Sequence, residues 1–414
     1  MKKIFSLILL SIGFTVVIAQ TDIKSTDDKK LSALKAKAID VNNIAQTDFL
    51  KKNDKGFTDV IVNPVTIVKN QQKTGTCWSF SGTSLVESQS LKNKTGNLDL
   101  SEMYTVRGIY IDKAKNYFLR QGNARFSEGA LGHDLIEAIA KYGAIPQSSY
   151  SGLTETTTNY DHSKLILVLK KYLDSAIDAT SKAIPVKGKE VNANWQTGYN
   201  KILDKFLGLP PQEFTYNKKI YSPISFAKEV LKFNAEEFIN LTSFTHHPFY
   251  SPFILEVPDN FSNGGYFNIP LNELTEVVIN AVKSGHTVVW DADVSNNGFN
   301  AKMGFALHVS QETGKRLAES TEDIIEEDFD AAKRQRLFEN LTTQDDHLMH
   351  IIGIEKSKEG KTFFIVKNSW GDATGPFNGF MHVSEAYFAI NTISIVLPKA
   401  ALDKTMLEKL KIKQ

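Results

Sequence analysis

One cysteine stands in the whole of this 414-residue chain, at position 77. An internal disulfide is therefore excluded, and stability has to come from a packed core, which a chain of this length can build. The lone thiol is a buried bystander, an intermolecular cross-link or a reactive group. Charge of one sign is also lacking: 48 Lys and Arg against 47 Asp and Glu leave a net charge of +1. That balance argues against nucleic acid, whose binders carry a basic excess. Long apolar runs are absent after the first twenty residues. Residues 4–19 are apolar, follow Lys2 and Lys3, and end in Val17-Ile18-Ala19, which reads as a secretory signal peptide with a mature start at Gln20. The run is short for a membrane span, and no cysteine follows it to carry a lipid, so the expectation is a secreted or periplasmic protein with no stable membrane anchor. What is present, 42% hydrophobic and 10% aromatic residues, is the composition of a globular protein.

Residues 20–55 are polar and rich in Lys and Asp, and read as an N-terminal segment with a helix near 30–39. Residues 59–65 suggest a strand, and 77–92 the strongest helix. A second helix over 134–142 is stopped by Gly143 and followed by Pro146. Residues 163–207 are helical by pattern, and 271–283 predict a helix leading into a strand at 286–291. The run 311–340 is highly charged and reads as a solvated face. Strand patterns then dominate, over 347–355, 361–367, 379–383 and 392–397. A helical front and a β-rich back suggest two lobes with a site in the cleft between them. No internal repeat is visible.

Cys77 follows a glycine-containing polar loop and opens a helix-like run. The positive end of the helix dipole there favours thiolate. A thiol nucleophile needs a base, a group to orient that base, and donors for the oxyanion. His347, next to Asp346, begins a strand. Asn368, in Asn368-Ser369-Trp370-Gly371, follows 21 residues later (368 − 347). An asparagine at the end of one strand can accept a hydrogen bond from a histidine on its neighbour and aim the other ring nitrogen at the sulfur, with Trp370 shielding that bond. Gln71, six residues before Cys77, can turn its amide to the same point.

The blocks Gln71-x5-Cys77-Trp78, Asp346-His347 and Asn368-Ser369-Trp370-Gly371, with Leu100-Ser101-Glu102, resemble the signatures of papain-like cysteine peptidases in that family's order. The 270 residues between Cys77 and His347 (347 − 77), together with Lys141-Tyr142-Gly143-Ala144-Ile145-Pro146, the stretch 207–215 and Val289-Trp290-Asp291-Ala292-Asp293-Val294, resemble the bleomycin hydrolase and aminopeptidase C branch. The resemblance implies an α+β, papain-like two-lobe fold: a helical lobe, an antiparallel β-rich lobe and a large, mainly helical insertion at roughly 150–270 within a peptidase domain at 56–414. It implies a cysteine-type peptidase in which Cys77 is the nucleophile, His347 the base, Asn368 the residue that orients it, and Gln71 with the Cys77 backbone N–H the oxyanion hole. The resting state is then expected to be a thiolate–imidazolium pair. No cofactor and no metal are implied. The partners implied are peptide or protein substrates, with a homo-oligomer as a candidate state of that branch.

The chain departs from the pattern at Leu348, where the family has a small residue. It also departs in residues 400–414, which are lysine-rich and helical by pattern and have no aromatic-proline segment of the kind that runs back into the cleft in that branch. The expectation is an open cleft and endopeptidase or relaxed aminopeptidase activity. The alternative is a catalytically silent papain-like scaffold that binds peptides. His350 points to the opposite strand face from His347 and reads as a core residue. Asp291 and Asp293 read as turn or cap residues in preference to a carboxylate pair facing the cleft. His133, His246, His247 and His308 lack metal-ligand spacing and read as surface or packing residues.

Overall fold

The computed structural model describes residues 57–183, 194–310, 313 and 325–413. The signal peptide read at 1–19, the segment at 20–55 with its helix, and residues 311, 312 and 314–324 of the charged run at 311–340 lie outside the described residues.

The chain opens on β1 (Thr58–Val62) and enters α1 (Cys77–Lys92), α2 (Glu102–Leu119) and α3 (Gly132–Tyr142), then α4 (Ser163–Lys182) and α5 (Trp195–Leu207). A small hairpin, β2 (Phe214–Tyr216) and β3 (Lys219–Tyr221), precedes α6 (Pro223–Glu229). Next come β4 (Phe238–Thr242), β5 (Pro252–Ile254), β6 (Gly265–Asn268), α7 (Leu271–Lys283), β7 (Val288–Ala292), β8 (Phe299–Asn300), β9 (Phe305–Ala306) and α8 (Ala331–Glu339). The last third is β10 (His347–Lys356), β11 (Thr362–Lys367), β12 (Phe380–Ser384), α9 (Glu385–Asn391), β13 (Thr392–Pro398) and α10 (Lys404–Lys409).

One sheet runs β5-β6-β4-β13-β7-β10-β11-β12-β9-β8, with β1 on β10. β10 is its axis. β11 follows one edge, while the other edge is shared by β7 against residues 347–351 and β1 against residues 353–356. The sheet is mixed: β12 with β9 and β4 with β6 are parallel, the other pairs antiparallel. Only the first part of the insertion is helical, as α4 and α5. Its second part supplies β4 to β6, which extend the main sheet, so "mainly helical" holds for half of it. Those strands are three to five residues long; β6 lies between β4 and β5, and β4 alone meets the far end of the chain, on β13, so no strong local pattern announces them.

Alternation along β10 feeds two cores. Leu348 packs with the helical lobe beside Val289 and Val396, whereas Met349 and Ile351 pack under α7 and α9 with Trp290 and Phe388. Residues 399–413, with α10, close the second core through Leu402, Met406, Leu407 and Leu410, and Lys409 pairs with Glu273 of α7 at 2.8 Å.

α1 is buried on nearly every side, between the sheet and the other helices. A helix in that position cannot be amphipathic, and this one is built from small and hydroxyl residues whose side chains bond to backbone carbonyls of the helix and of its neighbours. Ser81 Oγ donates to Cys77 O (2.9 Å), Ser79 Oγ to Glu102 O (2.9 Å) and Ser88 Oγ to Pro64 O (2.6 Å). A Cβ on Gly82 would lie 2.5 Å from Leu135 Cδ2, so close packing with α3 requires glycine there.

Beneath α1 lies a charged network. Glu87, almost fully buried, accepts from Thr66 Oγ1 (2.5 Å) and from the Leu100 N–H (2.8 Å) and faces Lys69 Nζ at 3.6 Å. Lys69 also pairs with Glu102 (2.6 Å) and Asp99 (2.7 Å). Removing one member of such a buried set leaves its partners unsatisfied. Glu87→Ala is therefore expected to cost about 3 kcal/mol, read as a lower urea midpoint at unchanged slope. A midpoint within error of the parent would show that the network contributes nothing to stability.

Candidate active site

Cys77 is the first residue of α1 and is 7% exposed. First-turn N–H groups of a helix have no intrahelical acceptor. The sulfur faces two of the chain's amides, the N–H of Trp78 and the N–H of Leu348. The second contact places the thiol against the strand end that carries His347, and both residues line one cleft of about 420 Å³.

The His347 ring is fixed from two sides. Its Nε2–H donates to Asn368 Oδ1 at 2.8 Å, which leaves Nδ1 as the acceptor, and it stacks on Trp370 at 4.7 Å between ring centres. Asn368 follows β11 directly, and β11 pairs along β10, so the two side chains meet through strand register. The Asn368 amide is itself held: Oδ1 also accepts from the Ser369 N–H (2.7 Å), while Nδ2 points at the Met381 sulfur (3.9 Å).

The loop before α1 is tied to the same turn. The Gln71 N–H donates to Ser369 O (2.8 Å), the Gly371 N–H to Lys69 O (3.1 Å), and Asn70 bridges to Trp370. Gly371 has φ of +87°, and a Cβ there would sit 2.9 Å from Asn70 Nδ2, so this junction needs glycine. Ser369 Oγ donates to Gln71 Oε1 (2.6 Å), and Gln71 Nε2 donates to Thr74 O (2.7 Å). These bonds orient the amide, whose second N–H remains for the cleft that Gln71 lines.

Burial dominates the electrostatics. It pushes the Cys77 thiol up to about 12, against the opposing pull of the Leu348 and Trp78 N–H donors and with Asp345 and Asp291 adding to the rise. It pushes His347 down to about 4, with the Asn368 bond acting the other way. Charging either group alone is disfavoured, so a thiolate and an imidazolium are expected to form together, as the pair read from the sequence. The low-cost route is proton transfer from sulfur to Nδ1, which leaves the net charge of the cleft unchanged.

All four residues singled out in the sequence, Cys77, His347, Asn368 and Gln71, thus belong to one locality. His350 does not: it is buried under α1, with Nδ1 on Ser84 Oγ (2.9 Å). Leu348 packs into the helical core, and it is its backbone that reaches the sulfur. Asp293 is a turn residue, accepting from the Ser295 N–H (2.9 Å) and the Gln344 N–H (2.9 Å), whereas Asp291 faces Asp345. Sequence reasoning missed Ser369 as the link to Gln71 and Asp345 as a cleft residue. The serine was legible in its block, but Asp345 meets Asp291 only through folding.

His133 is a packing residue between Tyr266 and Ser262. His246 and His247 do meet a carboxylate, Glu256, at 3.3 and 2.6 Å, away from the cleft. Gln335 Nε2 donates to His246 Nδ1 (2.9 Å), which leaves the proton on Nε2 facing Glu256, so hydrogen bonds already account for this trio.

Comparison with known proteins bears on this geometry. The peptidase C1-like family matches residues 125–414, and the papain family cysteine protease pattern matches residues 58–163. Aminopeptidase C of Lactobacillus delbrueckii subsp. lactis is 24% identical over 373 residues, 81% of this chain and 80% of that protein. Aminopeptidase W of the same organism is 24% identical over 380 residues, 83% of each. The crystal structure of PepW from Lactobacillus rhamnosis HN001 superposes with a TM-score of 0.67 at 20% identity, covering 96% of both chains, which shows the fold.

The lowered His347 value sets an expectation. The ring stays neutral in the folded chain as pH falls from about 6.5 to about 4, whereas the unfolded chain takes up the proton first. Its contribution to stability is full above pH ~6.5 and is lost as pH falls toward ~4. An NMR titration of the His347 ring checks this; a midpoint near 6.5 would contradict the burial argument.

Proposed function

This chain belongs to the peptidase C1-like family, on its bleomycin hydrolase and aminopeptidase C branch, and from that premise we propose that it hydrolyses peptide bonds through Cys77, His347 and Asn368, with Gln71 completing the oxyanion hole. That the chain is a cysteine peptidase follows from the family. The assignment of roles is supported above all by the sulfur lying against the Leu348 N–H while the adjacent His347 is bonded to Asn368.

The steps follow from the atoms. With a peptide in the cleft, the thiol proton passes to His347 Nδ1 as the sulfur attacks the carbonyl carbon. The oxygen gains negative charge between the Cys77 N–H and Gln71 Nε2, donors held in place beforehand. Collapse expels the amine, which takes the proton from the imidazolium. Water then attacks the thioester, with His347 removing its proton, and the acid leaves with Cys77 restored. Stacking on Trp370 keeps water from the His347–Asn368 bond.

The proposal extends to an endopeptidase or relaxed aminopeptidase acting outside the cytoplasm. Residues 399–413 pack on α7 and α9 and do not line the cleft, which supports access for chains without a free terminus. The leader-like residues 1–19 support the location, and among the described residues no helix is long and apolar enough to cross a membrane. Purified protein is expected to cut N-acetylated as well as free peptides, and Cys77→Ala to lose at least about a thousandfold in kcat/KM. Strict dependence on a free amine would overturn the endopeptidase reading, and undiminished cutting by Cys77→Ala would overturn the role of the thiol.

A further inference from the structure

The face of α1 that carries Cys77 meets the sheet again two turns further on. Ser84 lies seven residues from Cys77 (84 − 77) and so on the same side of the helix. Seven residues of helix rise about 10.5 Å. On β10, His350 lies three residues from His347 (350 − 347), about 10 Å along an extended strand. The two spans match, so α1 rests on β10 at both ends of one stretch. At one end the Cys77 sulfur faces the Leu348 N–H, and at the other Ser84 Oγ meets His350 Nδ1 at 2.9 Å.

Ser84 is also where β11 joins. Lys367 stands opposite His350 in strand register and immediately precedes Asn368. An ammonium can only donate, and this one donates to Ser84 Oγ at 2.8 Å and to Thr66 Oγ1 at 3.1 Å. The Ser84 oxygen is therefore an acceptor toward Lys367, and its own proton goes to His350 Nδ1. Burial and the nearby ammonium hold His350 well below the usual imidazole range, so the ring is neutral with its proton on Nε2. One hydroxyl thus ties the helix of the thiol to the strand that begins at His347 and to the strand that leads into Asn368.

Among the described residues, Ser84 is the α1 side chain whose hydrogen bonds reach β10 and β11. Ser81 bonds within the helix, Ser79 to Glu102 O, Ser88 to Pro64 O, and Glu87 to Thr66 and the Leu100 N–H. Ser84, His350 and Lys367 are all buried. Filling this space alone would be served at lower cost by aliphatic side chains. What the polar groups add is direction: hydrogen bonds fix the helix along its axis, where apolar contact would let it slide.

We propose that Ser84 is a positioning residue for the reaction, setting the height of Cys77 against His347 and Asn368 through its bonds to His350 and Lys367. It rests on the reading of Cys77 as the nucleophile and adds three buried residues that touch neither substrate nor reacting atoms. Loss of the hydroxyl leaves His350 Nδ1 without a donor and Lys367 with Thr66 alone. The helix is then free to shift by a fraction of an ångström or more at the end that carries the sulfur, and that shift is felt in the chemical step and not in binding.

Peptide cleavage by the full-length protein tests it, with rates referred to the concentration of folded protein. Ser84→Ala and His350→Leu are each expected to lower kcat at least about tenfold with KM held within about twofold. His350→Asn, which keeps an acceptor where Nδ1 stands, is expected to stay within about threefold of the parent. The double variant Ser84→Ala/His350→Leu is expected to be no slower than the slower single, because one bridge is lost in each. His350→Leu carries the test if Ser84→Ala does not fold. On the unaltered protein, nitrogen NMR of the His350 ring, assigned by its loss in His350→Leu, is expected to show the proton on Nε2 and no titration between pH ~5 and ~8. An undiminished kcat in either single variant, additive losses in the double, His350→Asn as slow as His350→Leu, or a ring that titrates in that range would overturn the positioning role while leaving peptide hydrolysis standing. A parent protein that cuts no peptide would overturn the peptidase reading, and the positioning role with it.

Discussion

The hydrogen-bonded run from Gln71 through Ser369 and Asn368 to His347 is the constraint on which the rest depends. Its members come from the loop before α1 and from the turn after β11, two regions some 300 residues apart in sequence, 71 against 368–369. Ser369 gives its hydroxyl to one side and its backbone N–H to the other. A single turn thereby orients both the Gln71 amide, proposed above as an oxyanion donor, and the ring tautomer of His347, the proposed base. Neither group has to be reorganised when charge appears, which is the condition for electrostatic stabilisation in a buried cleft.

That run would be useless without α1 standing where it does. The helix presents Cys77 at its N-terminus and is tied down through its own Glu87, which faces Lys69, and its own Ser84, whose hydroxyl meets both His350 and Lys367 of the sheet. Burial stiffens the site but penalises its charges. It raises the thiol, lowers the imidazole and raises Asp291 and Asp345, whose carboxyl groups lie within hydrogen-bonding reach of each other. In such a cleft charge is least costly where it arises as a pair, as when a proton moves from sulfur to imidazole.

Much of this was legible before folding was considered. Cys77, His347 and Asn368 sit at boundaries of elements that the sequence announces strongly, a helix start, a strand start and a strand end, so they could be picked out as candidates from their blocks and the resemblance those blocks carry. The helix over 271–283 and the strands of the last third carry ordinary apolar patterns and appear where expected. α2 was not legible, because a helix buried with Glu102, Arg107 and Lys113 inside shows no clean apolar face. β4 to β6 are short, and they join the main sheet only through the pairing of β4 with the distant β13. The Asp291–Asp345 pair spans 54 residues (345 − 291) and exists only because β7 and β10 align as they do. Nothing local distinguishes those two aspartates from Asp293, which folding makes a turn residue.

The most direct measurement is the position of a covalent adduct. The protein is treated with a peptidyl epoxide at neutral pH and the product is mapped by mass spectrometry. The account predicts one adduct, on the Cys77 sulfur, formed rapidly in the parent and slowed at least about a hundredfold in His347→Ala, since without the base the thiol stays protonated. An adduct at the same rate in both proteins, or one on any other residue, would contradict it.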